Sequence, residues 1–141
     1  MNFLLDTNIV SELRKPRPHG AVLAWRRSVP IHQLAIPAIV LAESQAGIEL
    51  TRKQDPQKAA ELDAWLDHIQ IRYTILAADG TIFREWARLM HRRTPSLSAD
   101  AMIAATARTL RLTVATRNRK DFETFQVEVF NPFEFNMGAK N

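Results

Sequence analysis

The 141-residue chain contains no cysteine. That absence excludes a disulfide framework, a zinc–thiolate site and thiol catalysis together, and it fits a reducing compartment. Long apolar runs are missing as well, and none approaches the ~18 consecutive residues of a membrane span. At the amino terminus Asp6 stops the run Phe3-Leu4-Leu5, and no basic segment precedes it, so no signal peptide is read there. A soluble, cytoplasmic protein without membrane association is expected. Histidine is sparse. His19, His32, His68 and His91 are scattered, with no i, i+4 pair of the kind a zinc-binding helix carries. They are expected at the surface, which leaves little for a ribonuclease that works through paired histidines. No internal repeat, linker or low-complexity block is present.

Composition then narrows the class. Apolar residues make up 46% and charged residues 24%, the balance of an ordinary globular protein. The length suits one domain, placed over 1–135 with a loose tail at 136–141. Net charge is +4, and a basic surface attracts polyanions, so nucleic acid enters as a partner class.

Short apolar segments alternate with helical periodicity. Phe3 to Leu5, Gln33 to Ile36, Tyr73 to Leu76, Leu112 to Thr116 and Val127 to Phe130 read as strands. Between them, helices are expected beyond Asp6, over Ala21 to Arg27, from Pro37 to about Lys53, over Ala59 to Gln70, from Asp79 through Met90, and from a Ser98 cap to Leu110. Alternating strands and helices imply an α/β domain, a mostly parallel five-stranded sheet with helices on both faces. The tryptophans Trp25, Trp65 and Trp86 lie on apolar helix faces and are expected in the core.

Three acids stand where a charge is costly. Asp6 ends a buried strand, in the space beyond strand carboxyl ends where α/β proteins bind ligands. Glu43 interrupts the stripe Ile36, Ile39, Val40, Gly47, Leu50, expected to face inward. Asp100 opens a helix rich in alanine. Each has an ordinary alternative, as a helix cap, a first-turn acid or an exposed side chain. The segment after the fourth strand, Thr116-Arg117-Asn118-Arg119-Lys120-Asp121, adds oxygen donors at Asn118 and Asp121, or is simply a polar turn. A phosphatase of the haloacid dehalogenase type also starts with a strand and an aspartate. It needs a second aspartate two residues later, where this chain has Asn8.

Leu5-Asp6-Thr7-Asn8, the Ala42-Glu43 pair, Asp100-Ala101-Met102-Ile103-Ala104-Ala105-Thr106-Ala107, and Thr116-Arg117-Asn118 followed by Asp121-Phe122 resemble the PIN-domain family. The resemblance is closest to VapC-type toxins and extends to Phe130-Asn131-Pro132-Phe133. It implies an endoribonuclease that uses Mg²⁺ or Mn²⁺ and leaves a 5′-phosphate and a 3′-hydroxyl. By position, Asp6, Glu43 and Asp100 match the invariant acids, Asn118 falls where some relatives carry a fourth acid, and Asp121 matches a more variable acidic position. Thr116 matches a hydroxyl that shapes the site, with Thr7 and Asn8 supporting it. The resemblance also implies a homodimer and a cognate VapB-like antitoxin, with DNA reached only through that antitoxin. A scaffold of the same fold that binds RNA or antitoxin without catalysis is the alternative.

The oxygen-only donor set is that of a hard cation. With Asp6, Glu43, Asp100 and Asp121 gathered in one pocket, 11 acids remain against 19 bases elsewhere, a surplus of +8. Arg117, Arg119 and Lys120 beside the site, and Arg84 and Arg88 of a stripe continuing to Arg92, are the candidate RNA contacts.

Overall fold

The computed structural model describes residues 1–136. The tail expected at 136–141 lies, apart from Asn136, outside the described residues. Strands β1 (Phe3–Leu5), β2 (Leu34–Pro37), β3 (Thr74–Leu76), β4 (Thr113–Ala115) and β5 (Val129–Phe130) form one sheet in the order β3-β2-β1-β4-β5. Every neighbouring pair is parallel. The helices are α1 (Thr7–Arg14), α2 (Gly20–Ser28), α3 (Ala38–Arg52), α4 (Pro56–Arg72), α5 (Gly80–Met90), α6 (Ser98–Leu110) and α7 (Arg119–Glu123).

Chain order runs from β1 outward to β3, then crosses to β4 and β5 on the other side of β1. Right-handed crossovers therefore put α1 to α4 on one face and α5 to α7 on the other. Buried on both faces, the central strands are apolar without alternation: Leu4, Leu5, Ala35, Ile36, Val114 and Ala115 are fully buried, as parallel sheets require. Ile9, Val22 and Trp25 pack with this sheet, as do Ile103, Ala104, Phe122 and Phe125. In α6, Ala101 to Ala107 are all buried, so this helix is apolar around its whole circumference, the pattern of a core helix.

Some helix faces differ from the periodic expectation. The inward side of α3 is Val40 and Ile48, while Gly47 is exposed and Leu50 is 68% exposed. The reason is its neighbour α4: Ile48 meets Ala59 and Leu66, with Leu41, Leu62 and Trp65 around them, and this rotates α3 away from the expected stripe. Glu43 is exposed as a result. On α5, Phe83 is 50% exposed. Ser98 is the first residue of α6 rather than its cap, because a 3-10 turn at Pro95–Leu97 leads into the helix. The arginine stripe ends at Arg88, since α5 stops at Met90 and Arg92 takes a positive φ of 63°.

Removing the fully buried Phe122 ring by Phe122→Ala is expected to cost about 3–5 kcal/mol. Leu50→Ala, on the exposed side of α3, is expected to stay within about 0.5 kcal/mol. Chemical denaturation of both variants checks the contrast.

Candidate active site

β1 and β4 are neighbours, and the chain leaves them toward opposite edges of the sheet, so a crevice opens beyond their carboxyl ends. Asp6 stands there. Its N–H extends the ladder to the Ala115 carbonyl at 3.0 Å, and its side chain caps α1, Oδ1 accepting from the Thr7 N–H at 2.7 Å. Oδ2 accepts from the Thr116 hydroxyl at 2.7 Å and from the Asn8 amide at 3.0 Å. The aspartate is 3% exposed. Burial is the main force raising its pKa, the hydrogen bonds from Thr116 and Thr7 oppose it, and the Glu43 charge adds to the rise.

The supporting residues form one network. Thr7 donates its hydroxyl to Glu43 Oε1 at 2.8 Å, which ties the exposed α3 acid to the end of β1. Thr116 Oγ accepts from the Asn118 N–H at 3.0 Å and from the Asn8 amide at 3.2 Å. Asn8 Oδ1 in turn accepts from the Arg117 N–H at 3.1 Å. Asn8 thus spends its amide holding Asp6 and its carbonyl holding the loop after β4. It has no acidic proton to offer, so the dehalogenase-type phosphatase arrangement is absent.

Asp100 sits half-buried at the mouth of α6. Its pKa is pushed up to about 6, first by burial and then by the charges of Asp6, Asp121 and Glu43. The charges of three acids from three other regions of the chain therefore reach Asp100 across the crevice. These acids do not form a ready cage: among the described residues, no three Asp, Glu or His side chains are placed to hold one ion together. Asp6 and Glu43 are turned onto their own donors. That arrangement still fits a hard cation, because Mg²⁺ usually takes one or two carboxylates directly and keeps several waters. The donors are all oxygens, and the raised pKa values show that positive charge is what the pocket needs.

Around the rim, Arg117, Asn118, Arg119, Lys120 and Asp121 line a shallow cavity of about 360 Å³. Asn118 precedes α7 without capping it by its side chain, and Asp121 lies in that helix's first turn. Arg84 and Arg88 are not brought to the acids. Arg88 pairs with Glu85 at 3.6 Å, and Glu85 also takes Arg108 from the far end of α6. The four histidines are exposed. Sequence reasoning missed Glu12, which is buried yet satisfied: it accepts from the His19 N–H at 2.9 Å and from Lys15 Nζ at 3.0 Å, and these partners lower its pKa. Its place beside Leu13 on a short amphipathic helix was the available signal. Also missed was the Arg117 guanidinium, stacked over the Phe133 ring with Cζ 4.3 Å from its centroid. No spacing rule links residues that far apart in the chain.

Known proteins share this fold. The profile of the PIN domain matches residues 3–127. The chain is 40% identical over 81 residues to Ribonuclease VapC14 of Mycobacterium tuberculosis, covering 57% of this chain and 79% of that protein. It is 34% identical over 142 residues to VapC ribonuclease Y4jK of Sinorhizobium fredii, covering 93% and 97%. Among solved structures, FitAcB from Neisseria gonorrhoeae superimposes with a TM-score of 0.82 at 33% identity, over 94% of this chain and 99% of that one. A toxin–antitoxin complex from Klebsiella pneumoniae does so with 0.63 at 25%, over 95% and 100%.

Because the folded Asp100 carboxyl binds its proton more tightly than an unfolded aspartate with the ordinary pKa of 3.8, protonation favours the fold. In chelator, stability is therefore expected to fall as pH rises from about 4 to about 6. Asp100→Asn should flatten that slope and stabilise the metal-free protein at pH 7.5 by on the order of 1 kcal/mol, a figure discounted for partial solvent exposure. Thermal melts across pH in EDTA measure both.

Proposed function

This chain belongs to the PIN-domain family, and from that premise we propose that it is a VapC-type endoribonuclease, the toxin of a toxin–antitoxin pair, which hydrolyses RNA phosphodiester bonds at the Asp6 crevice. The observation that carries the reading is the gathering of acids at the switch point of the sheet: Thr7 ties Glu43 to the end of β1 beside Asp6, and the charges of Asp6, Asp121 and Glu43 all act on Asp100.

We assign the crevice to Mg²⁺ or Mn²⁺, held by Asp6 and Asp100 with Glu43 and Asp121 beside them, directly or through water. Such an ion, when bound, polarises a phosphoryl oxygen and acidifies a water for in-line attack at phosphorus. The protein's own part is placement. Three donors lock Asp6, so its carboxylate cannot swing away as a phosphate approaches. Thr7 holds Glu43 over the same space, and Thr116 with Asn8 clamps the β4 loop onto β1. Asn118 brings an uncharged oxygen donor where a fourth acid would add repulsion. Arg117 and Lys120 at the rim are suited to the flanking phosphates, whose charge the acids alone would repel. The catalytically silent alternative gains no support from a pocket with all its acids intact.

The antitoxin is assigned from the Klebsiella pneumoniae toxin–antitoxin complex, and DNA is reached only through it. An RNA substrate of this kind assigns the protein to the cytoplasm. For self-association we assign the apolar groove of about 520 Å³ lined by Ile39 of α3, Phe83 and Trp86 of α5 and Met102 of α6. A second copy of the chain is its occupant, since a half-exposed Phe83 on an otherwise polar helix surface favours burial.

Purified protein is expected to cleave single-stranded RNA with Mn²⁺ or Mg²⁺ and to stop in EDTA. Asp6→Asn should fold normally and lose at least about a hundredfold in rate, the scale of removing one preorganised electrostatic partner. RNA left uncut under all metal conditions, or an equally active variant, overturns the reading. Light scattering should give the mass of a dimer, and Phe83→Asp should return a folded monomer.

A further inference from the structure

A turn of Asn131-Pro132-Phe133-Glu134 follows β5. It is built with care. Asn131 is 8% exposed, its Oδ1 accepts from the Phe133 N–H at 3.0 Å, and its carbonyl accepts from the Glu134 N–H at 3.0 Å. Pro132 is buried beneath it. The turn presents two side chains, and each meets a base of the loop after β4. Phe133 lies under the Arg117 guanidinium, with the His19 ring 5.1 Å away. Glu134 Oε2 accepts from Arg119 Nη2 at 3.4 Å.

A comparison within the molecule shows why this is more than packing. Arg93 also stacks on a ring, that of Phe125 at 4.5 Å, but its guanidinium donates to the hydroxyl and carbonyl of Thr124. It is a structural arginine with its donors in use. Arg117 has the same stacking, yet among the described residues its guanidinium makes no hydrogen bond or ion pair. Its backbone N–H is tied through Asn8 to Asp6. The base of this side chain is thus registered to the acidic crevice, its charged centre rests over the Phe133 ring, and its N–H donors are free among the described residues. A planar guanidinium with free edges matches a phosphate oxygen pair.

We propose that the Asn131–Glu134 turn is a positioning platform for RNA: Phe133 holds Arg117, and Glu134 holds Arg119, in the orientation that grips backbone phosphates beside the Asp6 crevice. Phe133 is a positioning residue, acting through Arg117. The inference rests on the ribonuclease reading for its substrate class, and it adds which residues order the phosphate contacts.

The test measures RNA binding in the Asp6→Asn protein, so that no cleavage intervenes, by fluorescence anisotropy with a labelled single-stranded 20-mer at several salt concentrations. Phe133→Leu keeps the apolar volume and loses the aromatic face. It is expected to weaken binding about fivefold to tenfold and to lower the salt slope by about one, as Arg117→Ala does. Phe133→Tyr should restore affinity, and the Phe133→Leu, Arg117→Ala double variant should bind no worse than Arg117→Ala alone. Arg117→Lys, at an exposed position that leaves the fold intact, should lose about threefold to fivefold although its charge remains. If Phe133→Leu binds like its parent, or the double variant shows additive losses, the platform is overturned. Should Phe133→Leu fail to fold, undiminished binding by Arg117→Lys overturns it instead. Cleavage by the wild-type protein with Phe133-independent binding removes the platform and keeps the ribonuclease. Phe133-dependent binding without cleavage does the reverse.

Discussion

The structure depends on keeping one carboxylate charged while almost wholly out of water. Asp6 ends the central strand of a sheet covered on both faces, so burial opposes its ionisation. Three donors oppose that cost: the Thr7 N–H at the start of α1, the Asn8 amide and the Thr116 hydroxyl. A buried carboxylate without such partners would be expelled or protonated. The local sequence around it reflects this. Asn8 serves the acid with its amide, Thr7 gives it a backbone N–H while its hydroxyl holds Glu43, and the apolar run must end at Leu5 for the crevice to begin.

From that anchor the remaining parts of the site follow by topology. β4 must lie beside β1 for Thr116 to reach Asp6, and the crossover from β3 through α5 and α6 brings it there. Packing that crossover against the sheet requires α6 to be small and apolar on all sides, which explains the alanines. It also leaves Asp100 as the first charge before the helix sinks into the core. Glu43 arrives differently, on an exposed turn of α3, and is drawn to the site by a single hydroxyl. The acids are therefore unequal: one is fixed, one is half-buried with a raised pKa, and two are exposed. A pocket of that kind is short of positive charge until a cation and a phosphate chain occupy it.

Much of this was legible in the residues. Strand–helix alternation predicted the parallel sheet because both faces of such a sheet are buried, and its strands carry apolar runs that end at turn residues. The helix before Met90 was legible from its Asp79 cap, which the structure confirms through the Ile82 N–H. The orientation of α3 was not legible. Its apolar residues admit two faces, and contact with α4 selects Val40 and Ile48, a choice no periodicity within one helix contains. The surroundings of the arginine stripe on α5 were not legible for a related reason. Arg92 lies beyond the helix end at Met90, and no pattern within one helix shows that Arg88 pairs with a Glu85 that also takes Arg108.

By itself, the sequence determined the class of fold, the place of Asp6 at a strand end, the oxygen-only chemistry and the basic surplus outside it. These are properties of local pattern and composition, which a chain carries before it folds. Only the tertiary structure decided which donors hold Asp6, how far each acid is buried, and that Arg117 rests on Phe133 while Arg88 turns away. Those are through-space contacts between residues distant in the chain, and their strength depends on burial and angle. Asp6 was visible as an acid from the first residues, but its electrostatic cost and the means of sustaining it exist only once β4 lies beside β1.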